Sequence, residues 1–567
     1  MCAVLFWMPW PQHKSGVGVL KLIPLGGLGE IGLNMMAVEY RDTIFVIDVG
    51  LMFPEDYMLG VDYVIPDMTY LKQNVKKIAG IVLTHAHEDH IGALPYLLKD
   101  VHAPVFGTPF TLGLVKHKLE EHDLMGATAL HVIHPNEILK IGPFALEFIR
   151  VNHSVVDGVG IAIRTPYGTV VHTGDFKFSH TCIEGMATDV STFARYGEEG
   201  VLALLSDSTN VESSGYTVSD CEIAESLAII CQRCPGRIII ALFASNVGRI
   251  QQIVEIAAKS GRKILFNGRS IEVSVNIAKQ LGYLRIPVGM EIEIDQINLY
   301  PDDETIIITT GSQGEPMSAL ARMANGSHRQ IKIKTEDTVI LSSKFIPGNE
   351  KAITNIINDL FRCGADVIYE KIAKIHVSGH AFQEELKLMM RLTRPKYFIP
   401  IHGEYRHLVQ HARLAEKEDI AKENILLARN GAVITFGPQG AFIGENVTTG
   451  RLLIDGKGVG DVGRSVLKER RMLSEEGMVV VNMAFDEDTG VIIYGPDVVS
   501  KGFVFETETG HLLDDAQCVI LEIVEDVPPE VPNRTDIIRG RIQSALRQYF
   551  FFTIGRRPVI MPFIVEV

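Results

Sequence analysis

Cysteine is scarce, with seven in 567 residues. An odd and sparse set does not build a disulfide scaffold, and it fits a reducing compartment, which points to the cytoplasm. Long apolar runs are missing as well. No window holds the roughly 20 consecutive apolar residues that cross a bilayer, so no membrane association is expected. The opening MCAVLFWMPWPQHK carries a short apolar run. No basic stretch precedes that run and Pro9 and Pro11 interrupt it, which argues against a signal peptide and for an N-terminal extension over residues 1–20. Positive charge is in deficit, at a net −15. That excludes a uniformly basic nucleic-acid binder but leaves room for a basic cleft on an acidic body. Hydrophobic residues at 46% and charged residues at 22% are an ordinary globular balance, which excludes a disordered, collagen-like or coiled-coil chain.

What is present is α/β alternation over a length that suits about three or four domains. KLIPL, TIFVIDVG, IAGIVLTH, ALEFIRVNH, GTVVHTGD and VLALLSDS are short runs rich in β-branched residues, and several stop at a histidine or an aspartate. GALPYLLKD and FTLGLVKHKLEEHDL read as helices between them. From 215 to 375 a second α/β unit continues the chain, with SDCEIAESLAIICQRC and VGRIQQIVEIAAKSG as helices around the strand RIIIALFAS. KYFIPIHGEYRHLVQHARLAEK then returns to the strand–histidine–helix style of the first half. The return marks an insertion within a domain. A Gly-rich stretch precedes a last α+β unit, in which GMVVVNMAFDEDTGVIIYG reads as a hairpin across Asp488–Gly490.

THAHEDH is the most informative segment. It sets His85, His87, Asp89 and His90 on a loop directly after a strand. Residues two apart in extended backbone point the same way, so His85 and His87 can share one ion, while Asp89 and His90 face a second across the turn. Later strand ends supply the missing ligands: His153 in VNH, Asp175 in HTGD and His402 in IPIHGEYRH. The expected assignment is His85, His87, His153 and Asp175 on one ion, and Asp89, His90, Asp175 and His402 on the other, with Asp175 bridging. Nitrogen and oxygen donors without a thiolate suit Zn²⁺, with Mn²⁺ as the alternative. His407 and His411, spaced i, i+4, compete with His402 on sequence grounds. Asp48, ending VIDVG, is expected to orient a ligand histidine.

Two signals are discounted. Gly27, Gly29 and Gly32 satisfy the dinucleotide fingerprint after a strand, but the next residues, NMMAVEYRDTIFVID, read as strand and turn, not helix. Cys231 and Cys234 form a lone CxxC with no second pair, which reads as structural.

HAHEDHIGALP with VNH, HTGD and PIHGEYRH resembles the metallo-β-lactamase fold of the β-CASP nucleases. From PLGGLGEIGLNM onward the chain is similar to the bacterial ribonuclease J family, with FPEDYMLGVDYVIPD, SDSTN, FASNVGRIQQ, TGSQGEP, IPGNE and HVSGHAFQEELK as further matches. The resemblance implies an αββα metallo-β-lactamase sandwich in two parts, 21–214 and 376–455. A β-CASP domain is inserted over 215–375, and a linker at 456–470 leads to a C-terminal domain at 471–567. The implied activity is 5′-to-3′ exonucleolytic, favouring a 5′-monophosphate, together with endonucleolytic cleavage in mRNA decay and rRNA maturation. The implied catalytic group is His380, Asp89, Asp207 and Asp48. His380 stabilises the scissile phosphate or protonates the leaving 3′-oxygen, and Asp207 supports the site. The implied RNA-phosphate contacts are Ser245, Asn246 and Val247 with His376, Val377, Ser378, Gly379 and His380. Two Zn²⁺ per subunit, a structural Ca²⁺ at Gly60, Asp62 and Asp455, a homodimer through the C-terminal domain that extends to a tetramer, and an RNA-decay complex are implied too. Arg249, Lys344 and Lys351 are candidates for a basic channel. Rival readings are a DNA-directed nuclease of the same class, a small-ester or lactone hydrolase on the same scaffold, and a catalytically dead RNA-binding scaffold.

Overall fold

The computed structural model describes all residues except 1–17, 179–186, 314, 316, 344–348, 371, 374, 457, 487–488 and 505–510. Two sheets form the scaffold. One has eight strands, with Leu20–Gly26, Met35–Tyr40, Thr43–Ile47 and Ile78–Val82 in its middle. The other has six, from Tyr397–Ile401 at one edge through Val201–Asp207, Gly168–His172, Val159–Thr165 and Phe144–Arg150 to Ile138–Ile141. Their facing sides share one core: Leu22, Val38, Phe45 and Val82 from the first, and Phe148, Ile161, Val170, Leu205 and Ile399 from the second. The outer face of the second sheet packs Ile149, Ala162, Leu204 and Phe398 against Phe193 and Tyr196 of helix Val190–Glu199 and Leu386, Met389 and Met390 of helix Gln383–Thr393. This is the expected sandwich of two sheets between helices.

Strand register explains why polar residues converge at one end. Thr43–Ile47 and Ile78–Val82 run parallel with Ile47 opposite Val82, so Asp48 and the THAHEDH loop leave the sheet together. Val201–Asp207 and Tyr397–Ile401 run parallel with Asp207 opposite Ile401, which puts His402 beside Asp207. His172 lies opposite Leu205, so the turn to Asp175 leaves the same end.

The insertion is a five-stranded, fully parallel sheet in the order Lys263–Asn267, Thr305–Thr309, Ile238–Ala241, Thr338–Leu341, Asp366–Ile368. Its unbroken isoleucine runs reflect strands covered on both faces. Strand Tyr397–Ile401 then rejoins the scaffold sheet. Glu385 ties the crossings together. It is 0% exposed and accepts hydrogen bonds from Phe178 N (2.8 Å), Thr217 N (2.9 Å), Thr217 Oγ1 (2.9 Å) and Phe382 N (2.9 Å). One carboxylate therefore binds the loop after Asp175, the chain entering the insertion and the chain leaving it.

The chain divides into two compact units, and the second comprises Pro54–Asp62 and Leu453–Val567. Strands Met478–Phe485, Ile492–Lys501 and Val559–Glu566 form a sheet. Its one face packs Val479, Val481 and Ile560 against Ile520 of helix Leu512–Glu525 and Ile538 and Leu546 of helix Arg534–Ile554. The expected hairpin pairs as read, and Asp488 of its turn lies outside the described residues. Helix Arg464–Glu476 runs through the stretch read as a linker. The glycines Gly458, Gly460 and Gly463 precede the helix and hid the helical run behind them. Residues Pro54–Asp62 carry no sequence signal for their place in this unit, because three-dimensional contact with residues 400 positions away is not encoded locally.

Glu385→Ala is expected to leave four donors, two of them fully buried, without this acceptor, at about 1–3 kcal/mol for each that finds no water. The denaturation midpoint should drop sharply, with Glu385→Gln in between because its amide keeps one acceptor. Unchanged midpoints in both variants would remove Glu385 as the tie.

Candidate metal centre

Strand Ile78–Val82 hands over to Thr84, His85 and His87, and His87 is the N-cap of helix Glu88–Ile91, which presents Asp89 and His90. Nε2 of His85 and Nε2 of His153 each lie 3.1 Å from Nδ1 of His87. Nε2 of His90 and Nε2 of His402 are 3.3 Å apart, and His402 Nε2 is 3.2 Å from Asp89 Oδ2. Donor atoms of His85, His87, His153 and Asp175 lie within 4.8 Å of one another, as do those of Asp89, His90 and His402. Between the groups stands Asp175, 3% exposed. Among the described residues its Oδ2 has no hydrogen-bond partner, yet Nε2 of His90, His85, His153 and His402 surround it at 3.3, 3.6, 3.7 and 3.7 Å. Imidazole nitrogens this close need a proton or a metal cation between them. A Zn–N bond of about 2.0–2.1 Å places tetrahedral ligand nitrogens about 3.3 Å apart. The residues fit a divalent-metal centre on the chemistry and spacing of their donors.

The partners behind the rings fix their orientation. Asp48 accepts from Thr84 N (2.8 Å) and Thr84 Oγ1 (2.8 Å), and its Oδ2 is 2.8 Å from His90 Nδ1. The Gly379 carbonyl is 2.7 Å from His153 Nδ1, so that nitrogen donates and Nε2 keeps its lone pair. A Cβ on Gly379 would sit 2.6 Å from the His153 ring. Thr209 Oγ1 is 2.6 Å from His402 Nδ1 and donates to Asp207 Oδ1 at 2.7 Å. Burial holds His85 and His153 well below the usual imidazole range and lowers His87 to about 4, so all three are neutral lone-pair donors. At His402 burial works the same way, but the carboxylates of Asp175, Asp89 and Asp207 outweigh it and raise the ring to about 9. Protons on the carboxylate-rich half are those that a divalent ion displaces.

His380 stands apart from the two groups. Its Nδ1 is 2.8 Å from Asp207 Oδ2 and 3.9 Å from Asp175 Oδ2, and its side chain is 20% exposed. Burial lowers its proton affinity, while Asp207 overrides that and raises it. Proximity alone also groups His380 with Asp175, Asp207 and His402. Ser378 Oγ accepts from Asn210 Nδ2 (2.5 Å) and from His380 N (3.2 Å). Val377 is buried, and His376 is half-buried in the same loop. The helix after this loop begins at Gln383, with Phe382 as its N-cap, so His380 lies in the loop that precedes it.

Ser245, Asn246 and Val247 lie between strand Ile238–Ala241 and helix Val247–Ser260 of the insertion. Asn246 Oδ1 accepts from Arg249 N (3.1 Å), an N-cap, and Val247 N donates to Ser245 O (2.9 Å). Arg249 is no open channel residue: it is 3% exposed, with Nη2 3.4 Å from Asp220 Oδ1. Lys351 is exposed, and Lys344 lies outside the described residues. His411 is fully buried with Nδ1 2.9 Å from Ser208 Oγ, and His407 Nε2 faces Glu212 at 3.4 Å. Neither competes for the metal groups. The Gly27–Gly32 loop leads into strand Met35–Tyr40, which fits no dinucleotide site. Cys231 and Cys234 are buried, and burial pushes the Cys231 thiol up to about 12. Gly60, Asp62 and Asp455 lie in the second compact unit.

Sequence reading missed Asn34, whose Nδ2 reaches the Asp89 carbonyl (3.0 Å) and Asp89 Oδ2 (3.3 Å). It also missed Asn210, whose Nδ2 donates to the His380 carbonyl at 3.1 Å. Asn34 stands inside PLGGLGEIGLNM and Asn210 ends SDSTN, and membership of those stretches was the only signal for either.

Family models match residues 28–214 (metallo-beta-lactamase superfamily), 235–360 (ribonuclease J, beta-CASP domain), 364–427 (Zn-dependent metallo-hydrolase RNA specificity domain) and 465–567 (ribonuclease J C-terminal domain). The chain is 43% identical over 541 residues to "Ribonuclease J 1" of Streptococcus pyogenes serotype M3, covering 95% of this chain and 96% of that protein. It is 40% identical over 556 residues to "Ribonuclease J2" of Bacillus subtilis (98% and 100% covered) and 39% identical over 557 residues to "Ribonuclease J" of Helicobacter pylori strain B128 (97% and 80%). A solved structure from Enterococcus faecalis, titled as a protein of unknown function, shares the fold over 74% of this chain and 100% of its own length at a TM-score of 0.54 and 16% identity. Matched domain by domain and along nearly its whole length, the chain belongs to the ribonuclease J family.

Proposed function

We propose that this protein is a metal-dependent ribonuclease that removes nucleotides from a 5′-monophosphorylated RNA end and also cleaves internally, in mRNA decay and rRNA maturation. One observation carries the reading: among the described residues the buried Asp175 Oδ2 accepts no hydrogen bond, and it is ringed by four imidazole nitrogens delivered by three strand ends. Two Zn²⁺, or Mn²⁺, would be held by His85, His87, His153 and Asp175 and by Asp89, His90, Asp175 and His402. When bound, such a pair supplies a water nucleophile at neutral pH and neutralises charge on the phosphodiester.

The chain's own groups do the rest. Asp48, Thr209 and the Gly379 carbonyl hold the rings of His90, His402 and His153, and Asp175 keeps the two halves at one spacing. Asp207 holds His380 through Nδ1, which leaves Nε2 as the nitrogen able to carry a proton to the leaving 3′-oxygen. A raised proton affinity suits that task near neutrality. Ser378 and the FASNV turn are assigned to phosphate positioning. This assignment rests on the family pattern, since Asn246 Oδ1 serves its own helix.

The protein is proposed to act in the cytoplasm as a homodimer or tetramer through its C-terminal domain, within an RNA-decay complex. The exposed face of the sheet there supports that: Met561, Phe563 and Val565 alternate with buried neighbours and are 40%, 52% and 56% exposed.

The reading is tested by digesting one RNA bearing a 5′-monophosphate, triphosphate or hydroxyl with the protein loaded with Zn²⁺ or Mn²⁺, resolved nucleotide by nucleotide. Mononucleotide release fastest from the monophosphate is expected, and hydrolysis of a small ester or lactone without RNA cleavage would overturn it. Asp175→Ala should lower occupancy of both ions by elemental analysis and reduce turnover by orders of magnitude, with the far-UV spectrum retained. Normal turnover by that variant in a metal-depleted state would defeat the two-metal assignment. His380→Ala should keep both ions and lose about 10²–10⁴-fold in single-turnover rate. A stoichiometric loss of one ion would instead make His380 a ligand.

A further inference from the structure

The residues that match a calcium site meet a different cation. Calcium takes six to eight oxygen ligands at about 2.3–2.6 Å, with carboxylates supplying the charge. Gly60, Asp62 and Asp455 do lie close to one another, because Asp62 N donates to the Ile454 carbonyl at 2.8 Å. One oxygen of each carboxylate is engaged, however, and a guanidinium lies against the Gly60 backbone. Arg470, from helix Arg464–Glu476, puts Nη1 2.9 Å from the Leu59 carbonyl and donates through Nη2 to Asp455 Oδ2. Asp62 Oδ2 accepts from Gly456 N at 2.8 Å. A Cβ on Gly60 would stand 2.8 Å from Arg470 Nη1, so the guanidinium rests against the bare Gly60 backbone, which also has a φ of +73°. A calcium ion bonded to Asp455 and to the 59–60 carbonyls would occupy the space of the guanidinium and repel it. The residues do not fit calcium while Arg470 holds this position.

We propose that Arg470 replaces a divalent cation here, and that the second compact unit is clamped by an intrinsic guanidinium and takes up no calcium. A planar fork of N–H donors suits the job. One arm meets a carbonyl of the 54–62 segment and the other a carboxylate at the end of strand Arg451–Asp455, so helix, segment and strand end are joined by one side chain. The side chains of Arg470 and Asp455 are 30% and 36% exposed. The pair is therefore screened by water, and its worth lies in joining three segments rather than in Coulomb energy alone.

The test uses the full chain, saturated with Zn²⁺ so that the histidine centre is filled. Calcium retention is read by equilibrium dialysis and elemental analysis, and melting temperature is followed with CaCl₂ against MgCl₂. The wild type is expected to retain no calcium and to melt alike in both salts. Arg470→Ala should melt lower by about 2–4 °C, the shift that loss of one modest tie gives in a domain of this size. Arg470→Lys should fall between them. Calcium retained at one ion per wild-type chain and abolished by Asp455→Asn would overturn the proposal. So would an Arg470→Ala protein as stable as wild type. Neither readout depends on RNA cleavage, so a failure here is separate from a failure of the ribonuclease reading.

Discussion

A carboxylate oxygen buried without a hydrogen bond is among the more costly things a fold can contain, and leaving such a charge uncompensated costs several kcal/mol. Asp175 Oδ2 is such an atom. Around it the scaffold gathers His85 and His90 from one loop and His153 and His402 from two other strand ends. Burial holds His85 and His153 neutral, so the positive charge that relieves Asp175 comes from protons on His90 and His402 or from a cation in their place. The arrangement is stable only if something positive is shared among the five groups, and the strand registers that bring Asp207 opposite Ile401 and Ile47 opposite Val82 exist in service of that convergence.

The same constraint propagates outward. Each ring must present a lone pair inward, so its other nitrogen needs a fixed partner: Asp48 for His90, the Gly379 carbonyl for His153, Thr209 for His402. Gly379 and Thr209 stand in the HVSGH and SDSTN motifs, on either side of the insertion. The insertion is thereby coupled to the candidate metal ligands through backbone and hydroxyl contacts, and Glu385 pins both crossings from behind. A change in how the insertion sits would be felt as a change in ring orientation before any ligand is lost.

Much of this was legible in the sequence because histidines and aspartates at strand ends are spelled locally. HAHEDH encodes its own loop, and VNH, HTGD and IPIHG each close a hydrophobic run that declares itself a strand. The alternation of the insertion was legible for the same reason, since unbroken isoleucine runs mean buried parallel strands. What stayed hidden depends on distant contact. Asn34 is recognisable only once the turn after Gly32 is folded onto Asp89. Arg249 carries a charge that composition assigns to the surface, yet Asp220 draws it inside. Arg470 closes the stretch read as a linker, and nothing local says that it reaches back to residue 59.

The contrast between the histidine centre and the Arg470 clamp arises from donor chemistry. At Asp175 the inward-facing atoms are four ring nitrogens and a carboxylate oxygen, all lone-pair donors held within a few ångströms. A guanidinium could not serve them, because its planar N–H groups diverge and cannot be shared by five acceptors around a point. A divalent ion accepts lone pairs from every direction and meets that geometry. At Asp455 the acceptors are one carbonyl and one carboxylate on opposite arms, beside a carboxylate already satisfied by a backbone N–H. Two separated acceptors match a fork. They fall short of the oxygen shell that calcium requires unless water completes it. Each cation is thus selected by how many lone pairs converge on a point.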